Sequence, residues 1–100
     1  MIQILLNSTS REELERIISA LFENKLIACA DVFPVESHYF WKGKIEMENR
    51  HQAIAFSMDD KKDSIIELVK KMHSDEVPGI IFSPAEANEE YLNWIKDYLK

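Results

Sequence analysis

The stretch Leu26 to Ser57, LIACADVFPVESHYFWKGKIEMENRHQAIAFS, limits this chain more than any other. It reads as two strands reversing at Lys42-Gly43, where glycine is free to take the positive φ of a tight hairpin turn. Each arm has room for roughly a dozen residues, about twice the usual strand length. A chain of 100 residues has too little else to cover a ribbon that long. The ribbon therefore predicts self-association, with further copies of the chain supplying the missing cover.

Within the outgoing arm, Pro34 lacks an amide, so a bulge or an edge position is expected there. Beyond it Val35, Ser37, Tyr39 and Trp41 share one strand face, and Glu36, His38 and Phe40 share the other. Neither face is purely polar, as suits a ribbon touching protein on both sides. On the return arm Ile45 and Met47 alternate with Lys44, Glu46 and Glu48. Its polar middle, Asn49-Arg50-His51-Gln52, marks a bulge or a buried polar contact between subunits. Ala53-Ile54-Ala55-Phe56 is apolar and suited to the centre of a sheet.

The flanks supply the rest of a fold. Ile2 to Leu6 is a short apolar run, read as a buried strand. Ser10 and Glu13 have capping-box spacing, the hydroxyl taking the amide of residue 13 and the carboxylate reaching back. Leu14, Ile17, Ile18, Leu21 and Phe22 then line one helix face, and Asn24 is the expected left-handed stop. A strand from Leu26 to Val32 follows, so a right-handed crossover predicts parallel pairing of the first two strands. Asp59 or Asp60 caps a second helix, whose buried face is Ile65, Ile66, Leu68, Val69 and Met72. His73 to Glu76 is a turn, and Val77-Pro78-Gly79 forces extended or turn geometry. Ile80 to Phe82 reads as a short buried strand. Asn88 caps a last helix with apolar Tyr91, Leu92, Ile95, Tyr98 and Leu99. The order β-α-β-β-α-β-α defines an α+β chain. It is a single domain, residues 1–100, of ferredoxin-like βαββαβ plan with an extra C-terminal helix and a long central hairpin.

Composition excludes several function classes. With 46% hydrophobic and 30% charged residues, the chain is ordinary for a soluble globular protein. Its net charge of −6 offers no basic excess to displace counterions, which argues against nucleic acid and anionic membrane as partners. The single cysteine, Cys29, allows no internal disulfide, so a reducing compartment and a cytoplasmic location are expected. The segment MIQILLNSTS lacks the basic lead-in and length of a signal peptide.

Four segments in order carry a family resemblance. Leu26-Ile27-Ala28-Cys29-Ala30, Tyr39-Phe40-Trp41-Lys42-Gly43-Lys44-Ile45-Glu46, His73-Ser74-Asp75-Glu76-Val77-Pro78 and Tyr91-Leu92-Asn93-Trp94-Ile95 resemble the LIACAN, Y-x-W-x-GKIE, HPYDVP and YLxWI motifs of the CutA1 divalent-ion-tolerance proteins. The resemblance spans essentially the whole chain. It implies a homotrimer of ferredoxin-like subunits whose long hairpins pair across subunit boundaries. It also implies a link to copper and divalent-cation tolerance and, in eukaryotic relatives, to anchoring of acetylcholinesterase. The sequence departs from the family pattern at Asp31, Ser74, Asp75, Arg50 and Phe56, and at Asn7, where copper-binding relatives carry a cysteine. Of that constellation His73 remains.

The candidate site residues each have a structural alternative. His73 with Glu76, near Asp75, suits a borderline divalent cation, which accepts imidazole and carboxylate; a helix-end histidine meeting the last carbonyls is the plainer role. Cys29, Tyr39, Trp41, Lys44, Glu46 and Arg50 are the candidate lining of an intersubunit cleft. Cys29 in an apolar run otherwise behaves as a small buried hydrophobe. Tyr39, Phe40 and Trp41 either stack on a ligand or pack an interface. Lys44 and Glu46 are otherwise solvated charges, and Arg50, His51 and Glu48 form either an intersubunit polar cluster or a solvated strand face. No phosphate loop, triad spacing or H-E-x-x-H is present, so no enzyme is expected. These readings converge on a cytoplasmic homotrimer that binds a small ligand or a metal ion, copper or another divalent cation, between its subunits. The alternative is a non-catalytic trimeric adaptor module without a metal role.

Overall fold

The computed structural model describes residues 1–100. Its elements are β1 (Ile2–Ser8), α1 (Arg11–Glu23), β2 (Cys29–Trp41), β3 (Lys44–Ser57), a 3₁₀ turn (Asp59–Lys61), α2 (Lys62–Met72), β4 (Ile80–Pro84) and α3 (Glu89–Tyr98). The sheet order is β2-β3-β1-β4, and every neighbouring pair is antiparallel. This is the α+β, ferredoxin-like arrangement with an added last helix. The expected parallel pairing of the first two strands does not occur, because β3 lies between them. They run in the same direction without touching, since each is antiparallel to β3.

The hairpin is as long as the sequence predicts. β2 has 13 residues and β3 has 14. At roughly 3.3 Å per residue, 14 residues extend about 46 Å, and the molecule measures 45 × 25 × 21 Å. The ribbon therefore sets the long axis. Lys42 and Gly43 both have positive φ, 48° and 87°, which is the two-residue turn whose twist matches that of the flanking strands. The register runs unbroken from Trp41 opposite Lys44 to Cys29 opposite Phe56. No bulge exists at Pro34 or in the polar stretch 49–52. Pro34 is tolerated because β2 is an edge strand, where a missing amide costs no ladder bond.

The core lies between one sheet face and the first two helices. Ile2, Ile4 and Leu6 of β1 meet Leu14, Ile17 and Leu21 of α1, Ile65 and Val69 of α2, and Ala53 and Ala55 of β3. A smaller cluster of Ala28, Ile95 and Leu99 packs with Phe56 and Tyr91, which seats α3 near the open end of the ribbon. Only the part of the ribbon near Ala30, Val32, Ala53 and Ala55 joins the main core. At the far end Phe40, Ile45 and Met47 are 70%, 71% and 57% exposed.

Several boundaries differ from the sequence reading for identifiable reasons. The left-handed residue after α1 is Lys25, with φ 53°, not Asn24. The amides of Lys25 and Leu26 bond to the carbonyls of Phe22 and Leu21, a Schellman closure that lets Leu26 fold back beside Leu21. Leu26 to Ala28 is consumed by that turn, so β2 begins at Cys29. Asp59 and Asp60 start a 3₁₀ turn rather than capping α2, and neither Lys61 nor Asn88 makes a side-chain capping bond. β4 is a half-buried edge strand, with Ile81 58% exposed.

Candidate functional site

Strand alternation puts Val35, Ser37, Tyr39 and Trp41 on one face of β2, opposite Arg50, Glu48, Glu46 and Lys44 of β3. The turn after α2 crosses this face. It is pinned there by the buried Glu13 and Ser8. The amide and hydroxyl of Ser74 donate to Glu13 at 2.9 and 3.1 Å, and the hydroxyl of Ser8 donates to the same carboxylate at 2.6 Å. Ser10 takes the amide of Glu13 as the capping-box spacing predicts. The Glu13 carboxylate, however, turns away from the cap to hold the 73–75 turn. Burial pushes the Glu13 carboxyl up, but the bonds from Ser8 and Ser74 outweigh it and hold the carboxyl below its ordinary value.

His73 completes the anchor. Its side chain is 1% exposed. Nε2 lies 2.6 Å from the carbonyl of Asn7, and Nδ1 accepts the amide of Asp75 at 3.0 Å. Both ring nitrogens are therefore engaged by backbone, with the Nε2–H tautomer required. Glu76 lies 3.8 Å from the ammonium of Lys42 at the rim. No group of three or more His, Cys, Asp or Glu side chains is placed to hold a metal ion. As folded, the side chains of this turn do not form the coordination set that His73 and Glu76 suggest in sequence.

The pinned turn delivers Asp75 to Arg50. The guanidinium, 6% exposed, donates from Nη2 to Asp75 at 2.5 Å and from Nη1 to Glu48 at 2.7 Å. Glu48 also accepts the phenol of Tyr39 at 2.5 Å. Burial pulls the Arg50 pKa down, yet the bonds and charges of Asp75 and Glu48 leave it raised. The bond from Tyr39 is the main reason Glu48 is held low, and the same bond raises the Tyr39 phenol. Of the polar middle of β3, Arg50 alone is buried, and its contacts are made within one chain. His51 is not among them, because alternation turns it to the opposite face.

Around this network is a cleft of about 730 Å³ between the hairpin tip and the 74–79 turn. Tyr39 and Trp41 form its aromatic wall, Arg50, Glu48 and Asp75 its charged floor, and Asn7 and Ser74 add polar edges. Lys44 and Glu46 pair with each other at 3.2 Å on the strand surface, Lys44 being largely exposed. Cys29 is elsewhere in the chain. It lies ten positions from Tyr39 along β2, a separation of roughly 33 Å. Its thiol is 3.1 Å from the phenol of Tyr91. That bond, with burial and nearby charge, pushes the Tyr91 phenol up to about 12.

Sequence reasoning assigned Asp75 only as a neighbour of a candidate ligand, and it missed Glu13 and Tyr91 as partners. The available signal was a mid-strand arginine, which when buried requires carboxylates; the sequence does not say from where they come.

The chain matches the family described as CutA1 divalent ion tolerance protein over residues 2–98. It is 38% identical to the divalent-cation tolerance protein CutA of Archaeoglobus fulgidus over 95 residues, covering 94% of this chain and 93% of that one. The CutA of Pyrococcus horikoshii is 33% identical, with 89% and 88% covered. A solved structure of the A. fulgidus protein, described as periplasmic, superposes with a TM-score of 0.95 at 36% identity over the full length of both chains. P. horikoshii CutA1 superposes at 0.94 with 31% identity, covering 100% of this chain and 99% of the other.

Proposed function

The chain belongs to the CutA1 divalent ion tolerance family, and from that premise we propose that it serves divalent-cation tolerance as a cytoplasmic, non-catalytic homotrimer that receives a small ligand in clefts at the subunit boundaries. The observation that carries this reading is the ribbon. Its distal half leaves the core of its own subunit, exposes Phe40, Ile45 and Met47, and shares its opposite face with the cleft. An apolar surface of this kind is removed from water most economically by another copy. Three copies is the number the family resemblance implies. The aromatic wall and the fixed polar groups suit a small ligand whose orientation matters.

Copper or another divalent ion as the direct occupant has less support. His73 is fully bonded to backbone, and no three-residue ligand set exists. The same facts favour, as the second reading, a trimeric adaptor without a metal role. Non-catalytic action is supported by Cys29, whose partner is Tyr91 and not a histidine base. Cytoplasmic placement is supported by the lone thiol.

Growth of cells lacking this protein, across graded copper, zinc and cobalt, tests the role. Reduced tolerance restored by the wild-type chain is expected. Unchanged growth in every ion contradicts a tolerance function and leaves the adaptor.

A further inference from the structure

We infer that Arg50 is the resident counter-cation of the cleft and excludes divalent metal ions from it. Two carboxylates from distant parts of the chain converge on one guanidinium, Glu48 on Nη1 and Asp75 on Nη2. Of the three carboxylates lining the cleft these two hold the guanidinium, and the third, Glu76, lies beside Lys42 at the rim. A divalent ion that used both would have to displace a side chain that is 94% buried, and would leave its charge without partners in the interior. The remaining nitrogen, Nε, has no acceptor in the protein. The two carboxylates alone therefore compensate the guanidinium and hold it in place. His73 offers a metal no free nitrogen, since it is bonded at both, and His38, the exposed imidazole at the cleft edge, pairs through Nε2 with Glu36 at 2.8 Å.

Removing the guanidinium reverses this balance. Glu48 and Asp75 would face the cleft without a cation, with the Tyr39 hydroxyl beside them. Such a set is all oxygen, which suits hard ions such as manganese or calcium better than copper. Arg50 is in this account a specificity-determining residue, and one side chain separates a cleft closed to metal from one that accepts it. The inference stands on the protomer geometry and does not depend on the trimer.

The test is calorimetric titration of MnCl₂ into the wild type, Arg50→Gln, and Arg50→Gln combined with Asp75→Asn. Arg50→Gln is expected to bind Mn²⁺ at least about tenfold more tightly than the wild type, and the double variant to return to the wild-type level. Equal affinity in the wild type and Arg50→Gln, or a gain that survives Asp75→Asn, overturns the inference. Loss of a buried cation can unfold the chain, so the wild type is also read alone. Mn²⁺ added to ¹⁵N-labelled wild type is expected to leave the Glu48 and Asp75 amide signals unbroadened. Selective broadening of those two overturns the inference.

Discussion

Arg50 and Asp75 are 25 positions apart in the chain and 2.5 Å apart in the structure. One sits in the middle of β3 and the other on the turn after α2. Their contact ties the hairpin to the helical layer. Asp75→Asn keeps the shape but removes the charge from a pair whose arginine is buried. Because Asp75 is itself about one-third exposed, solvent screens part of the loss. The expected destabilisation is about 1–3 kcal/mol, read as a lower urea midpoint with an unchanged slope. Double-mutant cycles with Glu48→Gln should show coupling, since both carboxylates share one guanidinium.

Glu13 gives the fold a predictable acid response. Its carboxyl is held below the ordinary value of 4.5. A lowered folded-state pKa stabilises the protein above the unfolded value, and that stabilisation fades as pH falls through the folded one. The stability difference between wild type and Glu13→Gln should therefore be constant near neutrality and shrink below about pH 4.5. Chemical denaturation at a series of pH values checks this. A difference that grows on acidification would show that Glu13 is not held as an anion.

His73→Ala should behave as a structural lesion. It removes the donor from the part-buried Asn7 carbonyl and the acceptor from the part-buried Asp75 amide, at an expected cost of about 1–3 kcal/mol. Copper and zinc affinities measured by calorimetry should be the same in wild type and variant. A selective loss of affinity would return His73 to the role of ligand.

Gly43→Ala isolates backbone strain. Gly43 has φ 87°, and an added Cβ would meet no atom within 4 Å. The whole effect is then conformational, about 1–2 kcal/mol for an L-residue in the left-handed region. Thermal denaturation should show the loss with no change in the helical circular dichroism signal.

The fold was legible where local chemistry and periodicity agree. Leu14, Ile17 and Leu21 mark the buried face of α1, and Lys42-Gly43 marks the reversal, because helix period and turn geometry are properties of neighbouring residues. Strand order was not legible in that way. Nothing near β1 or β2 says that β3 will separate them, since pairing is decided by long-range packing. The same limit applied to the site. Tyr39 and Trp41 could be placed on one face of β2 by alternation, whereas Arg50 joins them through the pairing of β3 with β2. Cys29 shares that face parity, yet the length of β2 carries it to the other end. Asp75 and Glu13 acquired their roles only when the turn after α2 folded across β1. The carboxylate at the start of α1 looked like a cap, and its second partner lies 61 residues away.

The mass of the native particle by light scattering, at concentrations where the fold persists, tests the proposed homotrimer most directly. A homotrimer has a mass of about 35 kDa, three copies of the 11.7 kDa chain. A species of 11.7 kDa with a native circular dichroism spectrum would contradict it.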